Sequence, residues 1–133
     1  MPKFELDHVA VALHSMEPAL KLFRDALGGR HVSGGREGGD WSWFQLEYPG
    51  GGRVELLEPR TDQPSFLSRY LEKRGEGLHH VTFKTDDIKE AIPLIQSHGY
   101  ELVDINLRSP FWKEAFLRPS KAHGVLVQIA QEG

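Results

Sequence analysis

An internal repeat limits what this 133-residue chain can fold into more than any other feature. Leu6-Asp7-His8-Val9-Ala10-Val11 parallels Leu78-His79-His80-Val81-Thr82-Phe83. The spacing after each copy is kept. Gly28 stands 20 positions after His8 and Gly99 stands 19 after His80. Glu55 stands 47 positions after His8 and Gln128 stands 48 after His80. Each copy therefore places one histidine near its start and one oxygen-bearing side chain near its end.

The local patterns give each copy a strand, a helix and three further strands. Residues 4–13 alternate as a strand. Ser15 is the expected N-cap of a helix over 16–27, with Leu20, Phe23 and Leu27 at helical spacing, Pro18 in its first turn and Gly28-Gly29 as its stop. Strands are expected over 31–33, 41–48 and 53–58, with Gly-rich loops at 34–39 and 49–52. A helix over 64–74 then packs Phe66, Leu67 and Tyr70. In the second copy a strand over 78–85 precedes a helix capped by Asp86 or Asp87 and running to about His98. Its apolar stripe is Ile88, Ala91, Ile92 and Ile95, with Pro93 inside it. Strands are expected over 100–104, 111–117 and 125–130. The expected class is α+β: one domain, 1–133, of two βαβββ modules (4–59 and 77–131) joined by the 64–74 helix, their strands forming a curved mixed sheet around a metal site.

Composition narrows the function. Lys and Arg number 16 against 19 Asp and Glu, a formal charge of −3, which argues against a nucleic-acid binder. No apolar run approaches the roughly 18–20 residues of a membrane span. The start, MPKFELDH, lacks the apolar core of a signal peptide. The chain has no Cys, so disulfides, thiolate metal sites and a Cys nucleophile are excluded, and a reducing cytoplasm is the expected compartment. There is no G-x-S-x-G, and GGREGG and PGGG lack the Lys-Ser/Thr of a phosphate-binding loop.

Strand parity converts the repeat into a site. Side chains alternate between faces along a strand. Val9, Val11 and Leu13 share one face of the first strand and His8 lies on the other. Val81 and Phe83 likewise oppose His80, Val54 and Leu56 flank Glu55, and Val127 and Ile129 flank Gln128. With helices on the apolar faces, His8, Glu55, His80 and Gln128 come to the concave side. Two imidazoles, a carboxylate and an amide oxygen suit divalent Mn, Fe, Co, Ni or Zn, and four ligands with open positions make the ion a Lewis acid. Each residue also has a plainer reading. A strand histidine is commonly packed, Glu55 beside Arg53 is a salt-bridged surface pair, and Gln128 is a hydrogen-bonded amide. His79 points away from the His80 face. Trp41 and Trp43 are read as packing residues. Arg118, Ser120, Lys121 and His123 are read as a solvated charged loop, with phosphate contact as the alternative.

These stretches resemble the vicinal oxygen chelate superfamily, which includes glyoxalase I, methylmalonyl-CoA epimerase, extradiol dioxygenases and fosfomycin-resistance proteins. The resemblance covers nearly the whole chain and is closest to methylmalonyl-CoA epimerase. It is carried by LDHVAVALHSMEPALKLFRDALGG, by VELLEP followed by a helix, by GEGLHHVTFKTDDI and by FLRPSKAHGVLVQI. It implies His8, Glu55, His80 and Gln128 as ligands of one divalent ion (Co, Mn, Ni or Zn). It departs at Gln128, where the family usually keeps a carboxylate. It implies a metal-dependent isomerase that exchanges the C2 proton of a 2-substituted malonyl thioester through a metal-stabilised enolate. The substrate is then an acyl-CoA and the protein a cytoplasmic homodimer. Glu37, on the Gly-rich loop, is the first candidate for proton transfer, Glu47 is its alternative, and Glu55 is the acid within the ligand set. Three rivals share the scaffold: a glyoxalase I-like lactoylglutathione lyase, a small-molecule binding protein that lacks catalysis, and a non-haem iron dioxygenase.

Overall fold

A computed structural model of the chain describes residues 1–35, 41–60 and 64–133. Its described residues divide into two compact units, His8–His79 and Met1–Asp7 with His80–Gly133. The first seven residues thus belong with the second half of the chain, which the repeat alone does not indicate. There the Lys3 backbone N–H donates to the Asp86 carboxylate at 2.8 Å. Lys84 lies 3.4 Å from Asp7 and 3.1 Å from Glu132.

In the His8–His79 unit, β1 (Phe4–Ala12) pairs in parallel with β4 (Arg53–Pro59), which is antiparallel to β3 (Trp41–Glu47), itself antiparallel to β2 (Arg30–Gly35). β2 reaches into the expected Gly-rich loop, taking Gly34 and Gly35 as strand residues. Helix α1 (Met16–Leu20) starts after Ser15, whose side chain makes no capping bond. The Met16 N–H instead donates to the Glu58 carboxylate at 2.8 Å, placing an anion at the helix N-terminus. The helix expected to Leu27 changes character on the way: Lys21–Ala26 is π-helical, and the Leu27 N–H bonds the Leu22 carbonyl five residues back. That wider turn rotates Leu27 out of the stripe, and it is 56% exposed. Met16, Leu20 and Phe23 stay on the core with Val11, Leu13, Leu46 and Leu56.

The opposite face of β1 and β4 is covered as well. Helix α2 (Phe66–Arg74) is fixed at its start by a reciprocal Ser65–Ser68 capping box. It lays Leu67 and Leu71 on Ala10, Ala12 and Leu57. Leu67 is fully buried, a burial that contributes about 2 kcal/mol. Small Ala10 and Ala12 leave room for the helix on a face that, four residues earlier, carries a histidine.

The other unit repeats the pattern. β5 (Gly77–Thr85) pairs in parallel with β8 (Val127–Glu132), which is antiparallel to β7 (Trp112–Leu117), followed by β6 (Val103–Asn106). Helix α3 (Ile88–Ser97) is capped by Asp87, which accepts from the Glu90 N–H at 3.2 Å. Asp86 is the carboxylate that holds Lys3. Ile88, Ile92 and Ile95 pack on Leu102, Ala115, Leu117 and Ile129, with Pro93 accommodated inside the helix.

Two strands of this unit start two or more residues later than expected. β6 starts at Val103 rather than at 100, and inside it Asp104 has φ 51° and the pairing with β7 shifts register. β8 starts at Val127 rather than at 125, because the Val125 N–H is taken by the Ala122 carbonyl in the turn after a 3₁₀ segment, Pro119–Lys121. Among the described residues no helix is long and apolar enough to cross a membrane.

Candidate metal centre

The two halves share a register. Ala10, two residues after His8, pairs with Glu55, and Thr82, two residues after His80, pairs with Gln128. Each histidine is therefore one pleat from the strand position that carries the oxygen donor on its own face.

In the His8–His79 unit, His8 is 5% exposed and its Nε2 lies 3.5 Å from Glu55 Oε1. The other carboxylate oxygen accepts from Gln45 Nε2 at 2.9 Å. Gln45 stands directly across from Glu55 on β3. One oxygen is thus tied back and the other faces the imidazole. Around them is an aromatic wall. Trp41 packs against Trp43 at 6.0 Å and edge-on against Phe66 at 5.7 Å. The His79 ring sits against Phe66 and Tyr70. Burial pushes the His79 pKa down, and the charge of Glu55 opposes that shift. His79 is held by aromatic packing on α2.

In the other unit, Gln128 is nearly buried and Thr82 completely so. The Thr82 hydroxyl donates to Gln128 Oε1 at 2.7 Å. Gln128 Nε2 donates to Glu114 Oε1 at 2.9 Å. The same Glu114 oxygen accepts from the Trp112 indole N–H at 2.8 Å.

Within the His8–His79 unit, His8 and Glu55 thus bring an imidazole nitrogen and a carboxylate oxygen to the separation of two ligands of one cation, and His80 stands on β5 of the other unit. The donor set fits a first-row divalent ion. Two ligands bound at about 2.1 Å in tetrahedral array stand about 3.4 Å apart, close to the 3.5 Å between His8 and Glu55. An imidazole and a carboxylate are donors such ions take.

The remaining sequence candidates fall differently. Glu37 lies outside the described residues. Glu47 accepts from Arg30 at 2.8 Å and Arg53 at 3.0 Å, so its charge is held by two guanidiniums. In the Arg118–His123 loop, His123 has φ 59° and its Nε2 is 2.8 Å from the Tyr100 hydroxyl. Gln45 and Glu114 were not singled out from the sequence. Gln45 was findable, since a tight turn at 49–52 sets β3 against β4 in a register that puts it opposite Glu55. Glu114 reaches Gln128 diagonally across two strands, and no local pattern signals that.

A model of the Glyoxalase/Bleomycin resistance protein/Dioxygenase superfamily matches residues 7–116. The chain is 30% identical to the uncharacterized protein YqjC of Bacillus subtilis, over 95% of this chain and 91% of that protein. It is 25% identical to the mitochondrial methylmalonyl-CoA epimerase of Dictyostelium discoideum, over 96% of this chain and 78% of that one. Among solved structures, methylmalonyl-CoA epimerase from Mycobacterium tuberculosis superposes with a TM-score of 0.81 at 26% identity, covering 96% of this chain and 87% of that one. A Streptomyces coelicolor methylmalonyl-CoA epimerase variant in complex with 2-nitronate-propionyl-CoA gives 0.77 at 27% identity, covering 97% and 94%. The expected glyoxalase-like α+β fold is the observed one.

Proposed function

Because the chain belongs to the Glyoxalase/Bleomycin resistance protein/Dioxygenase superfamily, we propose that it is a metal-dependent isomerase that exchanges the C2 proton of a 2-substituted malonyl thioester. The observation that carries this reading is the His8–Glu55 donor pair, with the second Glu55 oxygen held by Gln45. Support for the substrate class comes from epimerase relatives matched over nearly the whole chain, one of them solved with an acyl-CoA analogue. A cytoplasmic homodimer acting on an acyl-CoA belongs to the same proposal.

His8, Glu55, His80 and Gln128 are the residues that would hold the ion. A divalent cation bound there supplies Lewis-acid stabilisation of the negative charge that a carbonyl oxygen takes up when the adjacent C–H loses its proton. The chain's own groups must then move that proton. Epimerisation needs an acceptor on one side of C2 and a donor on the other. Glu55 is assigned to one side, its carboxylate aimed by the Gln45 amide. Glu37, which lies outside the described residues, is proposed for the second role. Glu47 is held by the guanidiniums of Arg30 and Arg53 and is left with a structural role. The mutually packed rings of Trp41, Trp43 and Phe66 supply an apolar border for the acyl group.

The test is deuterium wash-in at C2 of methylmalonyl-CoA, run with metal-free protein and with protein reloaded with Co, Mn, Ni or Zn. Exchange is expected only after reloading, and Glu55→Gln should lower it by about 100-fold or more. Absence of exchange with every ion, together with consumption of the hemithioacetal of methylglyoxal and glutathione, would reassign the protein to the lyase reading.

A further inference from the structure

The two halves hold chemically different donors, and the residues around them differ accordingly. Glu55 is a carboxylate and accepts through either oxygen, whichever way it turns. Gln128 is an amide. Turned one way it offers oxygen to a cation, and turned the other it offers N–H, which repels one. Something must choose between the two.

Three side chains on one face of three strands make that choice. Glu114 presents only acceptors, so the end of Gln128 facing it at 2.9 Å is the NH₂. The Thr82 hydroxyl, 2.7 Å from the other end, donates to the oxygen and leaves it a second lone pair. Glu114 is itself steadied by the Trp112 indole. In the other half Glu55 accepts from Gln45 Nε2 instead, and neither Thr nor Glu stands at the matching positions. The register partner of Glu55 is Ala10 where that of Gln128 is Thr82. The residue opposite Leu57 on β3 is Trp43, whereas Glu114 stands opposite the corresponding Ala130 on β7.

We infer that Glu114 is a positioning residue that locks the Gln128 amide with its oxygen available to the cation. The inference rests on the reading of Gln128 as a ligand, and it is tested without substrate. Co²⁺ is titrated into the metal-free full-length protein, with calorimetry giving affinity and visible absorption reporting the ligand set. Glu114→Met, which removes the acceptor but keeps the bulk, should weaken Co²⁺ binding about tenfold and alter the absorption band. Glu114→Gln keeps an acceptor oxygen and should stay within about threefold of the parent. Adding Gln128→Glu to Glu114→Met should restore affinity, because a carboxylate needs no orienting; a merely structural loss would not be rescued this way. Parent-like binding by Glu114→Met, or a loss that Gln128→Glu leaves in place, overturns the positioning role. A parent protein that takes up no Co²⁺, or a Gln128→Ala variant that binds as well as the parent, overturns the ligand reading and the inference with it. The weakened and rescued pattern without any C2 exchange would leave the positioning role standing and remove only the substrate class.

Discussion

Carboxylate and amide are paired in both halves with their places exchanged: Gln45 holds Glu55, and Glu114 holds Gln128. Single residues also fasten the frame that carries these pairs. The Tyr48 hydroxyl donates to the Phe23 carbonyl at 2.6 Å, where the π-helical segment ends and the Gly29 N–H bonds the same carbonyl. Burial raises the Tyr48 pKa above its ordinary value of about 10. A raised folded-state pKa gives stability that is fully present below about pH 10 and is lost as pH rises through the folded value. Tyr48 should therefore ionise later than an exposed tyrosine in a tyrosinate absorbance titration. Tyr48→Phe should cost about 1 kcal/mol at neutral pH and flatten the alkaline limb of the stability curve. At this scale the sequence was a partial guide. The repeat marks His8 and His80. Gln45 is readable only through the register that the 49–52 turn sets between β3 and β4, and Glu114 is not readable, because it reaches Gln128 diagonally between strands.

Among elements, the helices on the core were the most legible, since Ile88, Ala91, Ile92 and Ile95 mark α3 by period alone. The strand limits were less so. β8 gives up Val125 to a turn whose hydrogen bond is invisible in an apolar run, and the π-helical stretch after α1 keeps the composition of an α-helix while turning Leu27 outward. The β2–β3 pairing depends on Gly34, which has φ 83° and lies so close to Trp43 that an added Cβ would press on that residue's carbonyl oxygen and indole nitrogen. Gly34→Ala meets both a left-handed backbone and a fixed main-chain atom. It should destabilise the protein by about 2 kcal/mol or more. Urea unfolding of the variant beside the parent reads this directly, and an unchanged midpoint would show that the strand shifts to make room.

For the whole molecule, a cation that binds only the folded chain must stabilise it by mass action. At a free ion concentration about 100 times its Kd, the gain is about 2.7 kcal/mol. The melting temperature should rise on loading and fall back on chelation, and Gln128→Ala should show a smaller rise. The duplicated plan was readable in advance because a two-copy spacing survives in a single sequence. The transfer of the first seven residues to the second unit was not, because it depends on bonds such as Lys3 to Asp86 between positions far apart in the chain. The most direct test of the proposed centre is metal stoichiometry of the parent, His8→Ala and His80→Ala, each stripped and reloaded with one divalent ion. A single shared centre predicts one equivalent for the parent and loss of tight binding in both variants. One full equivalent retained by either variant would contradict it.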